Sequence, residues 1–183
     1  MLNGLHAARG FTLIEILFSL VVLGILISLG VPSFFEFLQN QKTRAAADAI
    51  LNGVQLARAE AIRRNLAVQM KLTALPASDW TVAESASGTV VQQRSSQEGT
   101  ANIVVTAVDS AGNAATTVTF SSLGGITANA DSTSALAKID VSNPSITANA
   151  RPLRILVSGG GSLRFCDPAI SVTTDPRYCP ATY

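Results

Sequence analysis

The chain has 183 residues, of which 48% are hydrophobic, and its 13 basic and 12 acidic side chains give a formal net charge of +1. A balance this close to neutral gives no electrostatic reason to expect nucleic acid or strongly acidic partners. The length allows one anchoring helix and one globular domain, and the single histidine, His6, leaves the rest of the chain without the commonest general base and metal ligand.

An apolar run near the N-terminus is the first predicted element. Residues 11–31 are almost all apolar and match the roughly 20 residues that a helix needs to cross a bilayer. Glu15 interrupts this run, and because a charge in the hydrocarbon core costs about 2.5–3.5 kcal/mol on insertion scales, such a residue usually has a function. Arg9 precedes the run without an acid beside it, which favours a cytoplasmic N-terminus.

The start of this run, Gly10-Phe11-Thr12-Leu13-Ile14-Glu15, resembles the processing site of type IV pilins and type II secretion pseudopilins. The resemblance implies that a prepilin peptidase cleaves after Gly10 and that Phe11 becomes an N-methylated amino terminus. It also implies that Glu15 neutralises that amino group, in its own or in an adjacent subunit, because pairing makes both charges tolerable in an apolar bundle. A plain signal anchor with an accidental glutamate is the alternative.

The helical pattern continues beyond the apolar run to Asn65, the predicted stop. Apolar residues recur at steps of three and four from position 46 to position 61, which is typical of an amphipathic helix. Pro32 is expected to bend the helix because proline removes a backbone hydrogen bond. We therefore predict a leader peptide at 1–10, a transmembrane and filament-core segment at 11–32, and a globular head at 33–183 that includes the second half of the helix.

The end of this helix indicates which group of pilins and pseudopilins the chain resembles most. Residues 56–65, LARAEAIRRN, resemble the helix end of the FimT/FimU and GspH group of minor pilins and pseudopilins. The same residues also predict a solvent-facing helix with an ion pair between Glu60 and Arg64. Residues 120–125, FSSLGG, resemble a turn of the same group.

Beyond residue 65 the periodicity changes to about two, which is typical of strands. Strands are predicted at 67–72, 80–83, 89–93, 103–108, 116–120, 138–141, 153–157 and 162–165. The fourth and fifth are expected to pair as a hairpin around residues 109–113, and residues 127–137, rich in Ala, Ser, Thr and Asn, are expected to be an exposed loop. One helix followed by strands predicts an α+β fold. The resemblance implies a type IV pilin-like form, with a long N-terminal helix, kinked near Pro32, packed on an antiparallel β-rich head.

Cys166 and Cys179 are the only cysteines. The predicted topology places them outside the cytoplasm, where paired cysteines are usually oxidised. Closing a loop of this size restricts the unfolded chain by about 3 kcal/mol. We predict a disulfide, with two buried free thiols as the alternative; two cysteines without histidine do not make the usual zinc site.

The remaining motifs give no sign of catalysis. The three glycines at 159–161 lack the Gly-Lys-Ser/Thr ending of a phosphate-binding loop and a following helix, so they predict a mobile turn. No serine or aspartate has an evident general base. The chain is therefore predicted not to be an enzyme and to use no cofactor and no metal.

The resemblance implies a minor pilin of the type IV pilus tip and initiation complex. Its expected partners are other minor and major pilins, the prepilin peptidase and the inner membrane, in which it first resides with a periplasmic head before it joins the cell-surface pilus. A type II secretion pseudopilin similar to GspH is one alternative.

A DNA-binding minor pilin for DNA uptake in natural transformation is the other alternative. Some FimT-like minor pilins bind double-stranded DNA through a Gly-Arg-x-Arg motif near the carboxyl terminus. The corresponding place here, Gly161-Ser162-Leu163-Arg164, keeps only the second arginine. Arg151, Arg154 and Arg177 add local positive charge that suits phosphate contacts.

Overall fold

One long helix opens the computed structural model, which describes residues 11–146 and 149–180. This helix, α1, spans Leu13–Arg64. Thr12 caps its start, since its Oγ1 accepts the backbone N–H of Glu15 at 3.3 Å. Asn65 follows its end with a φ of 54°, and the closing hydrogen bonds of a Schellman motif are present there. The predicted stop at Asn65 is confirmed.

The chain divides into two compact units, residues 1–37 and 38–183. In the described part of the first unit the large apolar side chains are exposed. Of the helices among the described residues, α1 alone is long and apolar enough to cross a membrane, with a mean hydropathy of 2.6 over its most apolar window. The whole hydrophobic core lies in the second unit, the head, so we expect the head to fold without the first unit.

The described part of the head contains nine strands in two antiparallel sheets, and the predicted α+β fold is confirmed. One sheet has the order β3-β2-β1-β5-β6 and the other the order β4-β7-β8-β9. The strands are β1 (Val68–Leu72), β2 (Trp80–Glu84), β3 (Val90–Arg94), β4 (Val104–Val108), β5 (Thr117–Phe120), β6 (Ile126–Thr127), β7 (Lys138–Ser142), β8 (Leu153–Val157) and β9 (Leu163–Cys166).

The second half of α1 packs against both sheets through small side chains. Its buried stripe follows the helical period and consists of Ala46, Ala47, Ile50, Val54, Ala57 and Ala61. Together with residues such as Met70, Phe120 and Ile155 it forms one buried cluster. The strands come close to this stripe, because a Cβ added at Gly53 would lie 3.1 Å from the ring of Trp80.

The predicted hairpin is present only at its closed end, where Val108 bridges to Ala114; the prediction that β4 and β5 pair is wrong. β4 pairs with β7, whereas β5 pairs with β1 and β6. The turn itself forms, since the N–H of Asp109 donates to the carbonyl of Asn113 at 2.8 Å. A local turn fixes only the reversal of the chain, however. Both edges of β5 are taken inside its own sheet, which leaves no edge for β4.

The prediction of an exposed loop at residues 127–137 is also wrong for part of that segment. Leu136 is fully buried in the core, and Asn129 is only 4% exposed. The amide of Asn129 donates to the carbonyl of Thr117 at 3.1 Å and accepts from the hydroxyl of Thr119 at 2.8 Å. Composition was misleading here because short polar side chains serve equally well in solvent and in buried hydrogen bonds.

Candidate functional site

The predicted processing site lies at the edge of the described chain. Gly10 is outside the described residues, and Phe11 is the first residue described, with 79% of its surface exposed. Glu15 lies in the first turn of α1, where the positive end of the helix dipole favours an acid. Ser19 donates its hydroxyl to the backbone carbonyl of Glu15 at 2.7 Å, one turn further along. The geometry therefore presents an exposed acid four residues from Phe11, on an apolar helix.

The apolar surface that follows is left uncovered by the residues that the structure describes. Large side chains from Leu13 to Leu38 are between 38% and 82% exposed wherever they are described. Soluble monomers rarely expose apolar patches beyond a few hundred Å², so this surface requires lipid or other apolar helices around it. Pro32 lies within α1, and the bend predicted at this residue stays a prediction.

The predicted disulfide is confirmed. Cys166 is bonded to Cys179, with 5.2 Å between their Cα atoms, and closes the C-terminal segment into a loop. Two further contacts hold this loop against β9. The backbone N–H of Asp167 donates to the carbonyl of Arg177 at 2.8 Å, and Nη2 of Arg164 donates to the carbonyl of Tyr178 at 3.0 Å.

Two of the four predicted DNA-binding arginines lie on the same face of β8 and β9. The register pairs Arg154 with Cys166 and Leu156 with Arg164, which places both arginines on one face. The guanidinium of Arg154 forms two hydrogen bonds with Asp140, one of 2.9 Å between Nη2 and Oδ2, and this pairing raises the pKa of Arg154. Arg164 is engaged with the C-terminal loop.

The other two arginines lie elsewhere, beside a groove. Arg151 and Arg177 line this groove of about 400 Å³ together with Asn40, Gln41, Arg44, Leu153, Phe165, Cys166 and Asp167. Arg177 is paired with Asp175, with 2.9 Å between Nη2 and Oδ2. Arg151 has no side-chain hydrogen bond or ion pair to any residue in 11–146 or 149–180. The structure thus divides the four arginines between two surfaces.

The helix end that carries the family resemblance contains the predicted ion pair. Oε2 of Glu60 lies 2.6 Å from Nη2 of Arg63 and 2.6 Å from Nε of Arg64. Hydrogen bonds from Arg63 and then Arg64 lower the pKa of Glu60 to about 2. Arg64 also reaches Glu84 at the end of β2, at 2.8 Å. The network therefore ties the end of α1 to the β2–β3 connection.

Sequence reasoning missed a contact between three distant segments. Nε of Arg58 donates to the carbonyl oxygen of Gly124 at 2.9 Å. Gly124 and Gly161 have φ angles of 79° and 78°, and a Cβ added at Gly161 would overlap that same carbonyl oxygen. The turns at 120–125 and 159–161 were each visible in the sequence, but no local signal indicates that they meet beside the helix.

Metal binding has no geometric support in the described part of the chain. No group of three or more histidine, cysteine, aspartate or glutamate side chains within 11–146 and 149–180 is arranged to hold a metal ion.

Comparisons with known proteins agree with the sequence resemblance. The family model described as type II transport protein GspH matches residues 46–169, and the prokaryotic N-terminal methylation motif matches residues 5–31. No curated protein matches the chain. Two crystal structures of the type IV minor pilin FimU from Pseudomonas aeruginosa PAO1 are similar to it. The first is 18% identical in sequence, and the match covers 73% of this chain and 97% of the FimU chain, with a TM-score of 0.47. The second is 15% identical, and the match covers 69% of this chain and 97% of the FimU chain, with a TM-score of 0.46.

Proposed function

Because the chain belongs to the GspH family, among the type IV minor pilins and pseudopilins, and carries the N-terminal methylation motif, we propose that it is a minor pilin of the tip and initiation complex of a type IV pilus. It acts by assembly. The observation that carries the proposal is the uncovered apolar half of α1, joined to a head that has a complete core of its own. The apolar half of α1 loses its unfavourable contact with water only when lipid or other helices cover it.

The proposed sequence of events starts with processing. Prepilin peptidase cleaves after Gly10, Phe11 is N-methylated, and the match of residues 5–31 to the methylation motif supports both steps. The subunit is then held in the inner membrane with its head in the periplasm. It can leave lipid for the filament because contacts with the helices of other minor and major pilins replace the lipid contacts and keep the apolar surface out of water.

Glu15 is proposed to pair with the methylated amino group of Phe11, in its own or in the adjacent subunit. Its place in the first turn of α1, four residues from Phe11, supports this role. Removing one partner of a charge pair in an apolar bundle leaves the other charge uncompensated, which costs about 3–5 kcal/mol. We expect Glu15→Ala to leave processing intact and to lower the amount of the subunit in sheared pili.

Ser19→Ala is the matched control, since it lies one turn further on the same exposed helix and changes no charge. Processing is read from the mass of the mature N-terminus, and incorporation from immunoblots of sheared filaments. Incorporation of Glu15→Ala at the level of Ser19→Ala would exclude the pairing role. An intact mass that begins at Met1, or cleavage beyond Val31, would exclude the proposed maturation altogether.

A pseudopilin of a type II secretion system is the second candidate, and the description of the matching family favours it. We prefer the pilus because of the disulfide-closed C-terminal loop, whose second cysteine lies beyond the matched residues 46–169. Deleting the gene separates the two. Loss of surface pili with normal secretion supports the pilus, and loss of secretion with normal pili supports the pseudopilin.

DNA capture has less support, because Arg154, Arg164 and Arg177 already have partners and the four arginines do not share one surface. A gel shift of the head, residues 38–183, with double-stranded DNA tests it directly. A shift at low salt that Arg164→Ala abolishes, and that Arg94→Ala on β3 does not, would revive this function. We expect no shift.

A further inference from the structure

The groove that contains Arg151 is not used by any part of the assembly mechanism described above. Three separate segments build it: α1 through Asn40, Gln41 and Arg44, the start of β8, and the end of β9 with the disulfide loop. Its volume of about 400 Å³ falls within the range of pockets that enclose a ligand group.

The walls of the groove are fixed before anything binds. The side-chain amide of Asn40 donates to the carbonyl of Asn149 at 3.1 Å and accepts the backbone N–H of Arg151 at 3.1 Å. On the opposite side the disulfide at Cys166 and the backbone hydrogen bond between Asp167 and Arg177 hold the loop in place. Binding of a partner therefore costs little conformational entropy in the residues of the groove.

The lining combines an apolar floor with a cationic rim. Leu153 and Phe165 are half-buried, and they point to the face of the sheet that packs on α1. Three guanidinium groups stand at the rim, those of Arg44, Arg151 and Arg177, and that of Arg177 is paired with Asp175. Nε of Arg44 is 3.7 Å from Oδ2 of Asp48, beyond hydrogen-bonding distance, and Arg151 forms no ion pair with an acid among the described residues. The cation at the rim that has no acidic partner among the described residues is therefore that of Arg151, beside the apolar floor.

We propose that this groove binds a carboxylate side chain that is flanked by apolar residues on a helix of a neighbouring pilin subunit. The planar fork of arginine matches a carboxylate, and the apolar floor suits the side chains beside it. Since the apolar surface of α1 ends at Leu38 and the groove begins at Asn40, the groove lies next in sequence to the surface that other helices must cover. A partly apolar groove with an acid in its wall fits DNA phosphates less well, because phosphate contacts need several clustered cations.

This inference rests on the proposed function as a pilin, and photo-crosslinking in cells tests it with the full chain. p-Benzoylphenylalanine is placed at Gln41, which is exposed and lines the groove, and in a control strain at Gln97, which is exposed and lies outside it. We expect an adduct from position 41 only, and we expect its tryptic map to identify an acid-containing peptide from the helix of another pilin.

Charge reversal supplies the second arm. Arg151→Glu should lower the adduct by about tenfold, since it replaces attraction by repulsion at the rim. Lys71→Glu makes the same charge change at an exposed position of β1, outside the groove, and should leave the adduct unchanged. Reversing the acid identified on the partner to lysine should restore the adduct in the Arg151→Glu strain.

Three outcomes would overturn the inference: no adduct at position 41, an adduct to DNA or lipid, or an adduct that Arg151→Glu does not alter. The mass of the mature N-terminus and the amount of subunit in sheared pili are measured in the same strains. Normal values for both, without the adduct, refute the groove alone, whereas an unprocessed chain refutes the proposed function.

Discussion

Gly161→Ala should destabilise the head strongly, because this residue sits where three segments meet. Its φ of 78° lies in the left-handed region, which costs a residue with a Cβ about 1–2 kcal/mol. The added Cβ would also overlap the carbonyl oxygen of Gly124 and lie 3.3 Å from Nε of Arg58. Displacing that carbonyl breaks a hydrogen bond from a charged donor, worth about 1.5–3 kcal/mol. The sum is about 2.5–5 kcal/mol, or a fall in Tm of about 10 °C or more.

Gly112→Ala is the matched control for this prediction. Its φ of 91° imposes a similar backbone strain, but an added Cβ meets nothing within 4 Å. We expect a fall in Tm of about 4 °C from strain alone. The assay is thermal unfolding of the soluble head, residues 38–183, followed by circular dichroism. Melting temperatures of the two variants within about 2 °C of each other would refute the idea that the contact at Gly124, rather than the backbone angle, decides the effect.

Three further predictions concern the head. The pKa of Glu60 is lowered from 4.5 to about 2, so the stabilisation of the head by the Glu60 carboxylate is complete above pH 4.5 and is lost as the pH falls toward 2. Urea titrations should show the Glu60→Gln head to be less stable than the parent by about 1 kcal/mol at pH 7 and equal to it at pH 2. Equal stability of variant and parent at both pH values would contradict the network. Gly53→Ala places a Cβ 3.1 Å from the ring of Trp80. The cost of overpacking, about 1–3 kcal/mol, should outweigh the gain in helix propensity of about 0.5–1 kcal/mol, so we expect the Tm of the head to fall. A raised Tm would show that the ring can move aside. Replacing both cysteines by serine should destabilise the head by about 3 kcal/mol in chemical unfolding, and an unchanged midpoint would mean that the loop adds nothing to folding.

The sequence was most informative where the signal is local. The apolar run, its single acid and the preceding glycine lie within a short stretch, and together they indicate an anchored pilin before any contact is known. The end of α1 at Asn65 was also predictable, because a Schellman cap depends on the residues that form it. The disulfide followed from counting two cysteines and from the compartment that the anchor implies.

Prediction failed where strands compete for partners. The turn at 109–113 is present, yet β4 and β5 join different sheets, because β1 and β6 occupy both edges of β5. The residues at 127–137 look like a loop by composition, but Leu136 completes the core. Neither outcome can be read from the local pattern, since each depends on which distant segment covers the strand.

The amino-acid sequence alone predicted the apolar N-terminal helix, its end at Asn65 and the closed C-terminal loop, because periodicity, capping and composition act within a few residues. Only the tertiary structure decided that Arg58 holds the turn at Gly124, and that Arg151 lines a groove with residues of α1 more than a hundred positions earlier. The physical reason is that such contacts arise from the packing of both sheets on one helix, and that packing depends on the whole core at once.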